Sequence, residues 1–247
     1  MDFSNKFMVV TGTSKGIGRE TVRTLAGMGY SVFACDCDKS EKLELEMSEL
    51  AVANNVQIFP IYFDLKDDSQ IRHGAEAIFS KKVHISGLVN VAGISHNSSF
   101  GMTTIDDFRR VFQINFFGHV YFTQLMMKML TRTKNSSLVF VSSVSAMDGN
   151  AGQSAYSASK SALFGLSKTL SLEYAPMGVR VNCVAPGVID TEMTRNLIPK
   201  DYEKLMSRVK MGRPGSPQEV AKLICFLLSD SSSYINGQII RIDGLMQ

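Results

Sequence analysis

The sequence predicts an α/β fold in which a single doubly wound parallel sheet of about seven strands carries helices on both faces. Short apolar runs that suit buried parallel strands alternate with segments of helical apolar spacing along the whole chain. No Pro/Gly/Ser-rich linker, internal repeat or low-complexity tract interrupts this alternation. We therefore expect residues 1–247 to form one domain, a size that suits a large α/β unit.

The first predicted element is a strand followed by a glycine-rich turn and a helix. The apolar run at residues 7–10 leads into residues 11–18, TGTSKGIG, after which apolar residues continue with helical spacing. Such a turn lets the backbone approach a pyrophosphate, and the free N–H groups of the helix N-terminus attract the anion. The spacing G-x-x-x-G-x-G differs from the common G-x-G-x-x-G fingerprint, and a tight turn without a ligand is the alternative. The flanking strand and helix favour nucleotide binding.

The following elements continue the same pattern. Residues 31–35 form a second strand that ends at Asp36, where a carboxylate can accept hydrogen bonds from an adenosine ribose. Residues 216–219 are a capping box with proline at the first helical position, which predicts a helix through Leu228. Residues 191–213 are less regular and are predicted to be a substrate lid, a plain surface excursion being the alternative. Further strands are predicted at residues 56–63, 85–91, 138–142, 179–184 and 238–242.

Tyr156 and Lys160 form the most informative pair of polar residues. The helical spacing of the residues after Tyr156 places the two side chains one turn apart on one helix face. An adjacent ammonium favours the phenolate and lowers the pKa of a tyrosine from ~10 toward the operating pH, which suits a general acid/base. Ser143 follows an apolar strand, at the position where an open α/β sheet lines its ligand crevice. By itself, a Tyr and a Lys at this spacing also fit an ordinary helix face.

The predicted helix at residues 115–130 is apolar on nearly every side. One face can pack on the sheet, but a helix without a polar face has to be covered elsewhere too. A partner subunit provides that cover, so we expect a homo-oligomer. His119 on this helix is interpreted as a packed or interfacial residue rather than a catalytic one.

The composition argues against several other classes of protein. The 26 basic and 23 acidic residues give a formal net charge of +3, which predicts neither a nucleic-acid partner nor an anionic membrane surface. No apolar run approaches the ~18 residues of a membrane span, and the first strand begins too early to leave room for a signal peptide. The four cysteines predict neither a disulfide framework nor a metal site. We expect a cytoplasmic protein.

The order of these motifs resembles that of the short-chain dehydrogenase/reductase family over essentially the whole chain, which implies a Rossmann-type fold. Two positions depart from the family's pattern, since Val91 replaces a second asparagine and Phe108 stands where a tryptophan is frequent. The matching segments, in chain order, are residues 11–18, 64–65, 90–93 (NVAG), 115, 143, 156 with 160, and 186–191.

The resemblance implies a role for each matching residue. Tyr156 is the expected acid/base, and Ser143 orients the substrate oxygen beside it. Lys160 is expected to lower the pKa of Tyr156 and to hold the nicotinamide ribose, while Asn115 positions a water in the proton relay. Family members commonly pair the helices at 115–130 and after Tyr156 across a dimer interface, so the expected oligomer is a homotetramer. The expected cofactor contacts are Gly12, Ser14, Lys15, Gly16, Ile17, Gly18, Asp36, Asp64, Leu65, Asn90, Ala92, Gly93, Tyr156, Lys160, Pro186, Ile189 and Thr191.

The activity implied by the resemblance is NAD(P)-dependent hydride transfer that interconverts a ketone and a secondary alcohol in a small-molecule substrate. The chain most resembles the 3-oxoacyl-acyl-carrier-protein reductases of fatty-acid synthesis, so that activity is one alternative. Lys134 matches one of their two carrier-docking positions, but Met177 stands at the other, where those enzymes have a basic residue. A dinucleotide-binding regulatory or scaffold protein without turnover is the alternative of another class. Retention of the four catalytic residues favours an enzyme.

NAD is predicted to be preferred over NADP. The carboxylate of Asp36 at the end of the second strand repels a 2′-phosphate at short range. Lys15 favours NADP instead, because a base at that position in the family often contacts the phosphate. We expect Asp36 to prevail, since it lies against the 2′ oxygen while the flexible Lys15 ammonium can stay solvated. Cys37, where NADP enzymes often have arginine, offers the phosphate no charge.

Overall fold

The computed structural model describes residues 6–196 and 198–247 and confirms the doubly wound parallel sheet. The described residues form seven strands, parallel throughout, in the spatial order β3-β2-β1-β4-β5-β6-β7. The direction of winding therefore reverses at β1, which pairs with both β2 and β4. The strands are β1 Lys6–Thr11, β2 Ser31–Asp36, β3 Ile58–Tyr62, β4 His84–Asn90, β5 Ser136–Val141, β6 Val179–Pro186 and β7 Ile239–Ile242.

Helices connect the strands and cover both faces of the sheet. A π-helical segment, Gln113–Phe117, joins the fourth and fifth helices, and short 3-10 turns precede or follow others. Within the described part of the chain, no helix has the length and apolar character that crossing a membrane requires. The α-helices are α1 Gly16–Gly27, α2 Glu41–Asn54, α3 Asp68–Ser80, α4 Ile105–Phe112, α5 Gly118–Leu130, α6 Ser145–Asp148, α7 Ser154–Tyr174, α8 Glu192–Arg195, α9 Pro199–Met206 and α10 Pro217–Leu228.

Alternating side chains of the strands belong to two hydrophobic cores, one on each face of the sheet. On β1, Phe7 and Val9 point into the core beneath α3, α5 and α7, whereas Met8 and Val10 point into the core beneath α1, α2 and α10. All four side chains are at most 4% exposed. Burial on both faces explains why the strands are continuously apolar in sequence.

The predicted helix start at residues 216–219 is observed, whereas the start of β5 differs from its prediction. Ser216 Oγ accepts a hydrogen bond from the Glu219 backbone N–H at 3.2 Å, and the Glu219 carboxylate accepts one from the Ser216 N–H at 2.7 Å. β5 begins at Ser136 rather than at Leu138. The buried hydroxyls of Ser136 and Ser137 donate to the carbonyl oxygens of Leu130 and Leu227, so two polar residues occupy strand positions that an apolar pattern does not reveal.

The helix predicted at residues 115–130 differs from its prediction in two ways. Its first turn belongs to the π-helical segment, and α5 begins at Gly118. Its outer side is also less apolar than the sequence indicated, because Gln124 and Lys128 are exposed there. Much of the remaining apolar surface packs against the core, and the large exposed side chain that is left is Phe117, at 54%.

The predicted lid at residues 191–213 contains the short helices α8 and α9. Leu197 between them lies outside the described residues. Tyr202, Leu205 and Met206 of α9 pack against a small hydrophobic cluster formed by Val144, Val188, Val209 and Met246. Whether the segment closes on a substrate stays a prediction.

Candidate active site

A crevice of about 680 Å³ opens at the carboxyl ends of the strands, beside the reversal point at β1. Ligands of open α/β sheets bind at this place, because the loops after adjacent strands diverge there. Its walls come from the turn after β1, the end of β2, and the loops that follow β4, β5 and β6. The crevice therefore brings together motifs that are far apart in the sequence.

The glycine-rich turn forms one end of this crevice. Gly12 and Gly18 are in contact, and a Cβ added to Gly18 would lie 2.7 Å from the Gly12 carbonyl carbon. A Cβ added to Gly12 would lie 2.8 Å from the Ala92 Cα. The turn is therefore packed on both sides at its backbone, with the N-terminus of α1 facing the crevice. This arrangement fits a pyrophosphate, which needs close backbone approach and free N–H groups.

Asp36 is held at the crevice edge by two backbone contacts. Its Oδ2 accepts a hydrogen bond from the Ser14 N–H at 2.7 Å, and its Oδ1 accepts one from the Asp38 N–H at 3.1 Å. The residue is 7% exposed. The Lys15 ammonium is instead 2.9 Å from the Glu192 carboxylate, which belongs to α8 on the other side of the crevice. Both partners of that ion pair are more than half exposed, so the pair is weak.

Three side chains hold the backbone of the turn after β4. The Thr11 hydroxyl oxygen accepts from the N–H groups of Val91, at 3.0 Å, and Ala92, at 3.3 Å. His119 Nε2 lies 2.7 Å from the Ala92 carbonyl oxygen. Asn115 binds both polar groups of Ile94, since Oδ1 accepts from its N–H at 2.8 Å and Nδ2 donates to its carbonyl at 2.9 Å. We call residues 91–94 the β4 turn.

Asn115 is fully buried in the π-helical segment rather than exposed in the crevice. Besides holding Ile94, its Nδ2 donates to the Ser159 hydroxyl at 3.0 Å. Both amide hydrogens are thus used within the protein. A Cβ added to Gly93 would lie 3.1 Å from Asn115 Oδ1 and 3.2 Å from Lys160 Nζ, so the two polar groups converge on this glycine. The water-positioning role of Asn115 stays a prediction.

Tyr156 and Ser143 both line the crevice. Burial raises the pKa of Tyr156 above its usual value, and the nearby Ser143 hydroxyl acts in the opposite direction with a smaller effect. The expected lowering of the Tyr156 pKa by Lys160 is not seen. The Lys160 ammonium donates to the Val141 carbonyl oxygen at 2.8 Å instead.

Lys160 is nearly inaccessible, with 3% exposure, although it lines the crevice. Burial lowers its pKa to about 8, because the charged ammonium loses hydration. At pH 7 the group is therefore mainly charged, and it lies within reach of the Gly93 backbone. A buried ammonium with one carbonyl partner retains donors for a ligand hydroxyl.

A polar network outside the predicted site residues joins the loops after β4 and β5 near Tyr156. The Gln153 side chain donates to Asn97 Oδ1 at 2.9 Å and accepts from the Ser145 hydroxyl at 3.2 Å and from Asn150 Nδ2 at 3.0 Å. Ser95 and Asn97 line the crevice. Their position directly after a strand that ends at the crevice is the signal that would have found them.

Most residues proposed from the sequence to contact the cofactor line this one crevice. Asn90 does not: it is 1% exposed behind the wall, where its side chain contacts His119 and Thr123. The asparagine supports the β4 turn from beneath, and a direct contact between Asn90 and the cofactor stays a prediction. The residues that do line the crevice are Gly12, Ser14, Lys15, Gly16, Ile17, Gly18, Asp36, Asp64, Leu65, Ala92, Gly93, Ser143, Tyr156, Lys160, Pro186, Ile189 and Thr191.

These residues fit a dinucleotide. The tightly packed glycine turn suits the pyrophosphate, and Asp36 lies where its carboxylate can accept hydrogen bonds from an adenosine ribose. At the other end of the crevice Ser143, Tyr156 and Lys160 present two hydroxyls and an ammonium. A nicotinamide seated between them would meet groups able to hold a carbonyl oxygen and to move a proton.

Comparisons with known proteins agree with this geometry. The family profile described as Enoyl-(Acyl carrier protein) reductase matches residues 12–246. The chain is 38% identical to the 3-oxoacyl-acyl-carrier-protein reductase FabG of Thermotoga maritima, over 99% of this chain and 98% of that protein. It is 32% identical to the FabG of Escherichia coli, over 100% and 99% of the two chains. Its structure resembles the ligand-free aldohexose dehydrogenase of Thermoplasma acidophilum, with a TM-score of 0.85, 31% identity and coverage of 99% and 96%.

Proposed function

The chain belongs to the short-chain dehydrogenase/reductase family, and from this premise we propose that Tyr156 is its acid/base. It is an oxidoreductase that uses a nicotinamide cofactor to interconvert a ketone and a secondary alcohol. The observation that carries the residue assignment is that Ser143, Tyr156 and the buried Lys160 line one crevice together.

In the proposed mechanism, a bound nicotinamide supplies or accepts the hydride. Ser143 and Tyr156 hold the substrate oxygen between their hydroxyl groups. In reduction, the Tyr156 phenol donates its proton to the oxygen as negative charge develops there. Burial raises the pKa of Tyr156, so the phenol retains its proton at neutral pH and is ready to act as an acid. The Lys160 ammonium, which donates to the Val141 carbonyl and keeps further donors, would hold a hydroxyl of the nicotinamide ribose.

A substrate screen tests this function. The unmodified protein is assayed with NAD(H) and NADP(H) against hydroxy-steroids, sugars, acyl thioesters and simple alcohols or their ketones, following nicotinamide absorbance. We expect turnover with at least one carbonyl or secondary alcohol. Tight nucleotide binding without turnover across all four panels would favour the regulatory or scaffold alternative instead.

Reduction of a carrier-bound 3-oxoacyl group is the second candidate, supported by the names of the FabG relatives. Lys134 and Met177, at the two docking positions, are both exposed, and Met177 is 53% exposed. Met177 offers no charge to an acidic carrier protein, which weakens this candidate. A KM at least tenfold lower for an acyl-carrier thioester than for the same acyl group on N-acetylcysteamine would support it.

The preference for NAD is proposed on the basis of Asp36. Replacing Asp36 by Ala is expected to shift the ratio of NADP to NAD affinity by at least about tenfold, because it removes a carboxylate that repels the 2′-phosphate. Loss of the Ser14 contact loosens the turn for both nucleotides, so the affinity ratio from calorimetric titration is the measurement. Asp106→Ala removes an exposed carboxylate on α4 that does not line the crevice, and it should leave the ratio nearly unchanged. Tighter binding of NADP than NAD by the unmodified protein would contradict the proposal.

We also propose a homo-oligomer, a tetramer being expected from the resemblance. Phe117 in the π-helical segment before α5 and Leu172 on α7 are 54% and 78% exposed on the same side of the sheet, where a second copy can cover them. Light scattering at micromolar concentration should therefore show a mass that is a multiple of 27.2 kDa. Leu172→Glu is expected to reduce the assembled fraction. Val52→Glu, at an 81% exposed position over the opposite core, is the control. A monodisperse 27.2 kDa species would refute the proposal.

The cytoplasmic location and the lid at residues 191–213 stay predictions. The four proposed catalytic residues Asn115, Ser143, Tyr156 and Lys160 are likewise assigned by proposal, on the contacts described above.

A further inference from the structure

His119 is a buried titratable residue that the proposed mechanism does not use. It lies on α5 with no exposed surface, and its Nδ1 is 3.1 Å from the Asn90 side-chain oxygen. Its Nε2 is 2.7 Å from the carbonyl oxygen of Ala92 in the β4 turn. The Asn90 side-chain nitrogen is 2.9 Å from the Thr123 hydroxyl oxygen. Asn90, His119 and Thr123 therefore form a closed polar cluster directly beneath the crevice wall.

The hydrogen-bonding capacity of imidazole determines how this cluster works. Burial lowers the pKa of His119 to about 3, with a further lowering by the positive charge of Lys160, so the ring is neutral near pH 7. A neutral ring donates only one hydrogen, and the shorter contact assigns it to Nε2 and the Ala92 carbonyl. Nδ1 is then an acceptor. An acceptor cannot bond to the Asn90 oxygen, so the Asn90 side-chain amide is assigned the opposite orientation, in which its N–H₂ group donates to His119 Nδ1 and its oxygen accepts from the Thr123 hydroxyl.

A small displacement of the Ala92 carbonyl would shift backbone that lines the crevice. Ala92 touches the glycine turn, since a Cβ on Gly12 would lie 2.8 Å from the Ala92 Cα. The next residue, Gly93, faces Lys160 Nζ at a distance that leaves little space for a Cβ. The β4 turn is thus wedged between the pyrophosphate end and the ammonium end of the site. Its Ala92 amide is fixed by Thr11 and its Ala92 carbonyl by His119.

We propose that His119 is a positioning residue, whose Nε2–H holds the Ala92 carbonyl and so sets the β4 turn against the dinucleotide. The inference rests on the proposed function for its cofactor, because the turn lines the crevice assigned to the nucleotide. His119 itself touches neither substrate nor reacting atoms. Its effect passes through the backbone of Ala92 and Gly93 to nucleotide affinity, with little effect on the chemical step.

Three substitutions of His119 test whether its hydrogen bond to Ala92 or only its volume is required. His119→Leu keeps a similar volume and removes both polar contacts. His119→Gln can place its amide N–H₂ near the position of Nε2, so it retains the donor to Ala92. His119→Asn is shorter and reaches the Asn90 side but not Ala92. Each variant is compared with the unmodified protein at pH 7.

Two measurements are made on each protein. The first is the Kd of NADH or NADPH, whichever the unmodified protein binds more tightly, by calorimetry, together with KM for that nucleotide and kcat at saturation. The second is hydrogen–deuterium exchange of the peptide that contains the β4 turn, without nucleotide. Exchange needs no turnover and reports directly whether the turn is held.

We expect His119→Leu and His119→Asn to raise Kd and KM for the nucleotide about tenfold, to change kcat less than threefold, and to speed exchange of the turn. His119→Gln should stay within about threefold of the unmodified protein in every readout. Equal affinity and exchange in all four proteins would overturn the proposal, as would a loss in His119→Gln as large as that in His119→Leu.

The design separates the two hypotheses even if one of them fails. If His119→Leu does not fold, the comparison of His119→Asn with His119→Gln decides. If the unmodified protein binds neither nucleotide, the proposed function fails, and the exchange measurement still decides about His119. Faster exchange in His119→Asn than in His119→Gln then supports the hold on the turn, and equal exchange refutes it.

Discussion

Replacing Tyr156 by Phe is expected to lower kcat by at least ~100-fold, which is the low end for loss of a positioned acid/base. The variant removes one hydroxyl and keeps the ring, so packing on α7 is preserved. Nucleotide affinity should change little, because the phenol acts on the substrate oxygen. Steady-state kinetics give kcat, and calorimetric titration of the nucleotide gives the affinity. Turnover within tenfold of the unmodified protein would end the assignment of Tyr156.

A matched control and a pH profile sharpen this experiment. Tyr174→Phe removes a phenol hydroxyl at the last residue of the same helix, packed against the core away from the crevice, and should leave kcat unchanged. Burial raises the pKa of Tyr156, so the proton donor is available throughout the neutral range. Reduction is therefore expected to be nearly independent of pH near 7. Oxidation requires the phenolate and should accelerate as the pH rises, in the unmodified protein but not in Tyr156→Phe.

Replacing Gly18 by Ala is expected to disable nucleotide binding. The new Cβ would overlap the Gly12 carbonyl group, a backbone contact that no side-chain rotation relieves. The glycine turn has to shift away from α1, which disturbs both the pyrophosphate site and the contact with Ala92. We expect Kd for the nucleotide to rise at least about tenfold, equivalent to ~1.4 kcal/mol. Overpacking of this kind costs roughly 1–3 kcal/mol in the free energy of unfolding.

Gly27→Ala is the control for that substitution, because it lies on the same helix. Its Cβ would meet only Asn54 Oδ1, at 3.9 Å, and alanine favours a helix over glycine by about 0.5–1 kcal/mol. Thermal unfolding should therefore show lower stability for Gly18→Ala and equal or higher stability for Gly27→Ala. Calorimetric titration should show weaker nucleotide binding in Gly18→Ala alone. Unchanged stability and affinity in Gly18→Ala would show that the turn relaxes without consequence and would remove it from the proposed pyrophosphate site.

The agreement between expectation and structure is closest where a single physical rule governs several neighbouring residues. Continuous burial makes strands such as β1 apolar at successive positions, and helical spacing identifies α7, so these elements could be predicted directly. The capping residues of α10 are close in sequence and their contacts are local, so the start of this helix could also be predicted. The start of β5 was missed because the partners of Ser136 and Ser137 come from other elements.

The order of motifs was sufficient to predict the fold class, the glycine-rich turn and most of the residues that line the crevice, because these depend on residue type and local spacing. Burial and distant partners are properties of the assembled chain. Only the tertiary structure showed that Asn90 lies behind the wall, that Lys160 is directed to Val141, and that desolvation raises the pKa of Tyr156. The same holds for His119, whose contact with Ala92 joins residues 27 positions apart. The pKa of a buried group and the hydrogen-bond partners of a buried side chain depend on residues that are distant in sequence, so they can be derived only from the folded structure.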